Sequence, residues 1–251
     1  MSWALQFLGT GNAQATELGA SSVVLERAGK PCLLIDCGPD VLDRYHAAYG
    51  QPPRALYVTH THLDHVGGFE RLFALRQFGK APGSTTVFLH AALVPLLQAR
   101  VADYPGAAAE GGVNFWDALK LVPCTRGFWL DGLWFDVFAT RHHVPGTSFG
   151  VALRGAFVYT GDTRPIPEAL AQQAGQGERV VHDCALVGNP SHSGADDIER
   201  EYPEELRQRL VACHYASATD AQALEARGLQ VARPGQRLPL PDPLPVRADA
   251  G

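Results

Sequence analysis

The run Thr59-His60-Thr61-His62-Leu63-Asp64-His65 packs three imidazoles and a carboxylate into a few residues. Neutral imidazole and carboxylate are the donors that zinc and similar divalent ions take. The run follows an apolar stretch, residues 55–58, that reads as a strand. An extended start puts His60 and His62 on one side of the chain. A turn into a following helix then aims Asp64 and His65 at a neighbouring point. One segment can therefore feed two metals, a spacing that a polar loop rich in histidine by chance has no need of.

Four residues do not close two sites, and three other segments offer donors. Arg141-His142-His143-Val144-Pro145-Gly146 follows an apolar strand at residues 134–139. Thr160-Gly161-Asp162-Thr163 follows another at residues 157–159, and His214 ends one at residues 210–213. Strand ends are where a rigid scaffold presents functional groups to a common edge. Within the second segment, His142 and His143 compete for one ligand position, and ligand chemistry does not separate them.

The elements that must position these residues alternate in type. Residues 5–8, 22–26, 32–35, 86–89, 149–153 and 179–183 read as strands. Residues 41–49, 68–78, 91–101, 167–173, 204–209 and 221–227 read as helices. Asp131-Gly132 between two aromatic runs predicts a tight hairpin. Apolar strands end in an aspartate in both halves, at Asp36 and near Asp162, which suggests a duplicated β-rich unit. The layer rules then favour two packed sheets with helices outside. We read one domain over residues 1–238, followed by a proline-rich, poorly ordered tail at 239–251.

Composition narrows the class. Hydrophobic residues are 46% of the 251, enough for a sizeable core, and the net charge is −5. That balance argues against a large polyanion as the main partner. The five cysteines are scattered and form no Cys-x-x-Cys pair, so a zinc ribbon is excluded and reduced thiols are expected. Met1-Ser2-Trp3-Ala4-Leu5 lacks the basic flank and apolar run of a signal peptide, and no stretch has membrane-spanning length. A cytoplasmic location with no membrane partner is the expectation.

These motifs resemble the metallo-β-lactamase-fold hydrolases, whose His-x-His-x-Asp-His signature is matched in full by His60, His62, Asp64 and His65. The resemblance runs from about Leu5 to His214 with the motifs in order. It implies an α+β fold, a four-layer αβ/βα sandwich of two mixed sheets with helices on the outer faces and metals at one edge. It implies that His60, His62 and His143 hold one divalent ion, that Asp64, His65 and His214 hold the other, and that Asp162 bridges them. His143, in His143-Val144-Pro145-Gly146, matches the family's next histidine best, which leaves His142 outside the ligand set. Zinc is the expected metal, with manganese or iron as alternatives. Asp36, in Ile35-Asp36-Cys37-Gly38, matches the family's upstream aspartate; it is expected to orient a ligand histidine, a turn or cap before Gly38 being the simpler role.

Details discriminate within the superfamily. The β-lactamases proper lack a bridging aspartate, so Asp162 argues against them. The flavodiiron branch replaces the second motif histidine with glutamate, so His62 argues for hydrolysis. Phe7-Leu8-Gly9-Thr10-Gly11 and Ser148-Phe149-Gly150 resemble the branch of tRNA 3′-processing nucleases and cyclic-phosphate phosphodiesterases. That branch carries a non-ligand histidine shortly before the last ligand, a place filled here by His192, 22 residues before His214. The tRNA nucleases insert a binding arm between the third-motif histidine and the bridging aspartate. His143 and Asp162 are only 19 apart, so tRNA is not the expected substrate. Residues 9–22 contain no cysteine, so the additional structural zinc site of the phosphonate-pathway phosphodiesterase is missing.

Other residues carry weaker signals. His182 and Asp183 end a strand and either support the ligands or simply satisfy each other. Arg164 offers a cation near Asp162 for an anionic substrate, or is an ordinary surface arginine. His46 and His90 have no partners in sequence and read as structural. Tyr104, Phe115 and Trp116 flank the glycine-rich stretch 106–112 and form either a lid or part of the core.

The expected chemistry follows from the metals. Two cations a few Å apart acidify a bridging water, giving hydroxide near neutral pH. Asp162 would orient that nucleophile, and His192 would serve the leaving alkoxide. A phosphodiesterase on a small or cyclic phosphodiester is the leading expectation, and its partner is a small anionic molecule. A lactone, thioester or sulfate-ester hydrolase is the alternative, and a metal-binding regulatory protein without turnover is a third class. The reading leaves room for a homodimer.

Overall fold

The computed structural model describes residues 2–79, 82–102 and 114–245. Its strands are β1 (Trp3–Gly9), β2 (Ser22–Arg27), β3 (Lys30–Ile35), β4 (Ala55–Val58), β5 (Thr85–His90), β6 (Leu119–Cys124) and β7 (Gly127–Leu130). Then follow β8 (Leu133–Ala139), β9 (Phe149–Leu153), β10 (Phe157–Tyr159), β11 (Arg179–Asp183), β12 (Leu210–Cys213), β13 (Gln230–Val231) and β14 (Arg237–Leu240). One sheet has the order β14-β1-β2-β3-β4-β5-β6, the other β13-β12-β11-β10-β9-β8-β7. In the first, pairing is antiparallel from β14 to β3 and parallel from β3 to β6. In the second it is antiparallel from β7 to β10 and parallel from β10 to β13. The two halves thus share one pairing scheme, as the paired strand–aspartate pattern suggested.

The sheets pack face to face with helices on the outer faces, the four-layer sandwich expected. Strands buried on both sides are apolar throughout, as in β4, β9, β10 and β12. Phe128 stacks on Phe88 at 4.2 Å and on Phe135 at 5.0 Å between ring centres, with Tyr57 5.7 Å away. The Tyr57 hydroxyl crosses between sheets to donate to the Phe149 carbonyl at 3.2 Å. Phe128→Ala should therefore destabilise the fold by about 3–5 kcal/mol. Neighbouring Trp129 is 56% exposed, so Trp129→Ala should lose far less; urea unfolding of the two variants tests the difference.

Several elements were invisible in the sequence. β14 contains Pro239, which reads as a strand breaker, yet Pro239 pairs with Ala4 and Leu240 with Trp3 at a sheet edge. An edge strand tolerates proline because one side of it has no ladder to complete. The start of the proline-rich stretch is thus part of the first sheet, and the Leu244 amide donates to Arg154 O at 2.8 Å. The helix expected over 91–101 divides: Ala91–Leu93 form a 3-10 turn capped by the His90 ring, and the α-helix begins at Val94. Among the described residues, no helix is long and apolar enough to cross a membrane.

Candidate metal centre

The donors gather where parallel strands end, the edge at which such sheets present ligands. Asp36 directly follows β3 and His214 directly follows β12; His60 and Asp162 come just after β4 and β10, and Asp183 ends β11. Asp36 and His214 have φ of 61° and 66°. For a non-glycine residue this costs on the order of 1–3 kcal/mol, a strain concentrated at functional sites. Gly161, at φ 60°, gives Asp162 its approach; a Cβ there would lie 2.9 Å from that of Thr59. The two sheets are tied at this edge by Phe149 N to Thr59 O (2.9 Å) and His214 N to Thr10 O (2.8 Å).

The histidine-rich run changes conformation halfway along. His62 is extended, with φ −68° and ψ 151°, and the short helix Leu63–Val66 begins at the next residue. That change delivers two groups of donors. His62 Nδ1 lies 3.1 Å from His60 Nε2 and 3.2 Å from His142 Nε2. Asp162 Oδ2 is 3.6 Å from His60 Nε2 and 3.8 Å from His142 Nε2. In the second group, His65 Nε2 is 3.5 Å from Asp64 Oδ2 and 3.3 Å from Asp162 Oδ1. His214 Nε2 is 3.5 Å from Asp64 Oδ2 and 3.3 Å from Asp162 Oδ2.

These separations fit divalent cations. Donors held tetrahedrally 2.0–2.1 Å from one ion lie about 3.3 Å apart. His65 Nε2 and His214 Nε2 are buried with no hydrogen-bond partner, each beside two carboxylates but not aligned to bond either. Asp36, Asp64, Asp162 and Asp183 converge here, and among the described residues none pairs with a lysine or arginine. Such buried negative charge calls for positive partners, which protonated histidines or bound cations can supply.

Local electrostatics match that demand. Burial, partly offset by Asp162, holds His142 at about 4, so it offers a lone pair. Burial likewise drives His60 well below its ordinary value. Burial acts against the proton of His214 too, but Asp162, Asp183 and Asp64 outweigh it and raise the group to about 10. Burial pushes Asp64 up, but His214 and His65 hold it at about 2. Protons on the second group thus stand where a cation would.

A surrounding shell fixes the rings. His65 Nδ1 lies 2.7 Å from Asp36 Oδ2, which also accepts from Thr59 Oγ1 at 2.7 Å, while Asp36 Oδ1 accepts from Thr59 N at 2.9 Å. Asp36 is therefore an orienting carboxylate: with Nδ1–H donated to it, His65 presents Nε2 to the centre. His142 Nδ1 donates to Ser191 O at 3.0 Å with the same effect. Asp36→Asn should lower divalent-ion affinity by about 10- to 100-fold. Competition with a chromophoric chelator measures this, and unchanged affinity would remove Asp36 from that role.

The expected ligand His143 is corrected by this geometry. His142 is buried and enters the first group, whereas His143 has φ 48° and is turned out to solvent. The ring of His143 packs edge-on against His62 at 4.7 Å and His142 at 4.2 Å between centres. His192 lies outside the two groups above but forms a third cluster of possible donors with Asp162, Asp183 and His214: its Nδ1 is 2.7 Å from Asp183 Oδ2 and 4.0 Å from Asp162 Oδ2. Its ring stacks on His214 at 5.0 Å. Asp183 also faces His214 Nδ1 at 3.6 Å and accepts Thr163 N at 2.9 Å.

The other candidates sort cleanly. His182 is buried and outside the donor groups, its nitrogens 2.7 Å from Asp183 O and 2.7 Å from the Tyr202 hydroxyl. His46 is exposed on the helix Val41–Tyr49, and His90 stacks on Phe149 at 3.7 Å. Arg164 is exposed. Phe115 is buried against Phe73 at 4.9 Å and Trp116 packs on the core. Tyr104 and the stretch 106–112 lie outside the described residues.

The family described as Anti-Pycsar protein Apyc1 matches residues 3–238. The Anti-Pycsar protein Apyc1 of Paenibacillus harenae is 27% identical over 243 residues, which span 93% of this chain and 98% of that protein. Among solved structures, a diphosphatase from the PhnP family is 18% identical and superposes with a TM-score of 0.74 over 94% of this chain and 97% of its own. The metallo-β-lactamase fold protein YhfI from Bacillus subtilis is 16% identical, with a TM-score of 0.72 over 95% of this chain and 100% of its own. The fold is that of the metallo-β-lactamases, as the signature residues implied.

Proposed function

The chain belongs to the family of Anti-Pycsar protein Apyc1, and on that premise we propose that it is a metal-dependent phosphodiesterase that opens a small cyclic phosphodiester, a cyclic nucleotide, at a centre of two divalent ions. The observation that carries this reading is the position of Asp162. Its Oδ1 faces His65, and its Oδ2 faces His60, His142 and His214, so one carboxylate belongs to both donor groups. His60, His62, His142 and Asp162 would hold one ion; Asp64, His65, His214 and Asp162 would hold the other. Zinc suits the donors, with manganese or iron as alternatives.

When bound, such ions bring the pKa of water close to neutrality and offset charge on a phosphoryl group. The remaining chemistry belongs to the chain. Asp162 orients the attacking water between the two donor groups. His192, with Nδ1 held by Asp183, is the proton donor for the leaving oxygen. Residues 143–162 form a loop, β9, a tight turn and β10, so they leave no arm for tRNA.

A panel run with zinc and with manganese tests this reading. It contains 3′,5′- and 2′,3′-cyclic nucleotides, a nitrophenyl diester, a phosphomonoester, a lactone, a thioester, a sulfate ester and tRNA. Cyclic nucleotides should be preferred. Turnover of the lactone, thioester or sulfate ester with no diester activity would overturn the assignment.

A further inference from the structure

We propose that His143, displaced from the ligand set, is a substrate-contacting residue at the mouth of the centre, where it hydrogen-bonds a phosphoryl oxygen. This rests on the phosphodiester reading above. Rings of two first-group residues, His62 and His142, lie 4.7 and 4.2 Å from its own. Both of those residues reach the centre, so His143 stands one ring away from it on the solvent side. A molecule seated at the centre and extending past His62 and His142 would come within reach of that imidazole.

One contact to the chain orients its ring. Ser191 Oγ lies 3.4 Å from His143 Nδ1, and the carbonyl of the same Ser191 holds His142 Nδ1 at 3.0 Å. Ser191 therefore sets the ligand and the rim histidine together. Among the described residues, no protein group bonds the other ring nitrogen of His143, which is left for a ligand. The backbone of His143 sits at φ 48°, a conformation costly for a non-glycine residue and retained where the side chain has a task. Leu63 and Val144, beside His62 and His143 in the chain, are 55% and 66% exposed. They give the same rim an apolar border suited to the organic part of a small diester.

Three measurements on His143→Ala and His143→Gln test this: metal content by elemental analysis, affinity of the zinc-loaded protein for inorganic phosphate by calorimetry, and KM and kcat on a cyclic nucleotide. Both variants should keep the metal content of the parent, whereas His142→Ala should lose an ion. Loss of a hydrogen bond to a charged group should weaken phosphate binding and raise KM by about 10- to 100-fold in His143→Ala. His143→Gln, which retains an N–H donor, should recover part of the loss. An ion lost from His143→Ala would make His143 a ligand after all and overturn the proposal. So would phosphate affinity and KM that stay within about twofold of the parent with metals retained. If the parent opens no diester, the phosphodiesterase reading fails by itself, and the phosphate titration still decides whether His143 makes the contact.

Discussion

Asp162→Asn should lower turnover of a cyclic nucleotide by about 10⁴-fold or more, because water without its cations has a pKa near 15.7 rather than near 7. The effect should exceed that of any single histidine, since among the described residues only Asp162 belongs to both donor groups. His60→Ala removes one corner of the first group and leaves the second closed. Elemental analysis should show both ions weakened in Asp162→Asn and chiefly one in His60→Ala. The rise in thermal midpoint on adding zinc, a mass-action consequence of binding the folded state, should shrink accordingly. Asp162→Asn with full metal content and near-parental turnover would contradict the shared-carboxylate arrangement.

His192→Ala should instead keep both ions and cut turnover of diesters with poor leaving groups by about 10²–10⁴. Nitrophenolate needs no proton, so the nitrophenyl diester should lose little. The geometry favours the protonated form that this role would need. Burial works against the proton of His192, but Asp183, 2.7 Å from Nδ1, overcomes it and raises the pKa. A donor must be protonated, so parental turnover of poor leaving groups should fall as pH rises through that raised pKa. In His192→Ala this alkaline limb should vanish. Equal losses on both kinds of diester would assign His192 to phosphate binding, and no loss on either would remove it from the reaction.

Much of this centre was legible because the fold reads its donors from strand ends. The run from His60 to His65 announces itself by residue type, and its switch from extended to helical at His62 is what the spacing demanded. Asp36 could be picked out in the sequence because it closes an apolar strand, and it lies 2.7 Å from a ring nitrogen of His65. The choice between His142 and His143 was not legible. The two side chains are chemically identical, and a φ of 48° at His143 turns it away from the cluster while Ser191, far along the chain, claims His142. The role of Asp183 is hidden in the sequence for a similar reason: its partners His192 and His214 become neighbours only when β11 and β12 align. Short elements escaped as well. The helix Ala195–Glu201 is mostly polar and has only two buried residues, and β13 spans two residues. Neither carries enough periodicity to read.

The most direct test follows a cyclic nucleotide by phosphorus NMR in the presence of the zinc- or manganese-loaded protein. The centre described here should convert the cyclic phosphodiester signal to that of the linear monoester. A chelator or Asp162→Asn should stop that conversion. A cyclic signal that persists unchanged beside protein shown to hold two ions per chain would contradict the account.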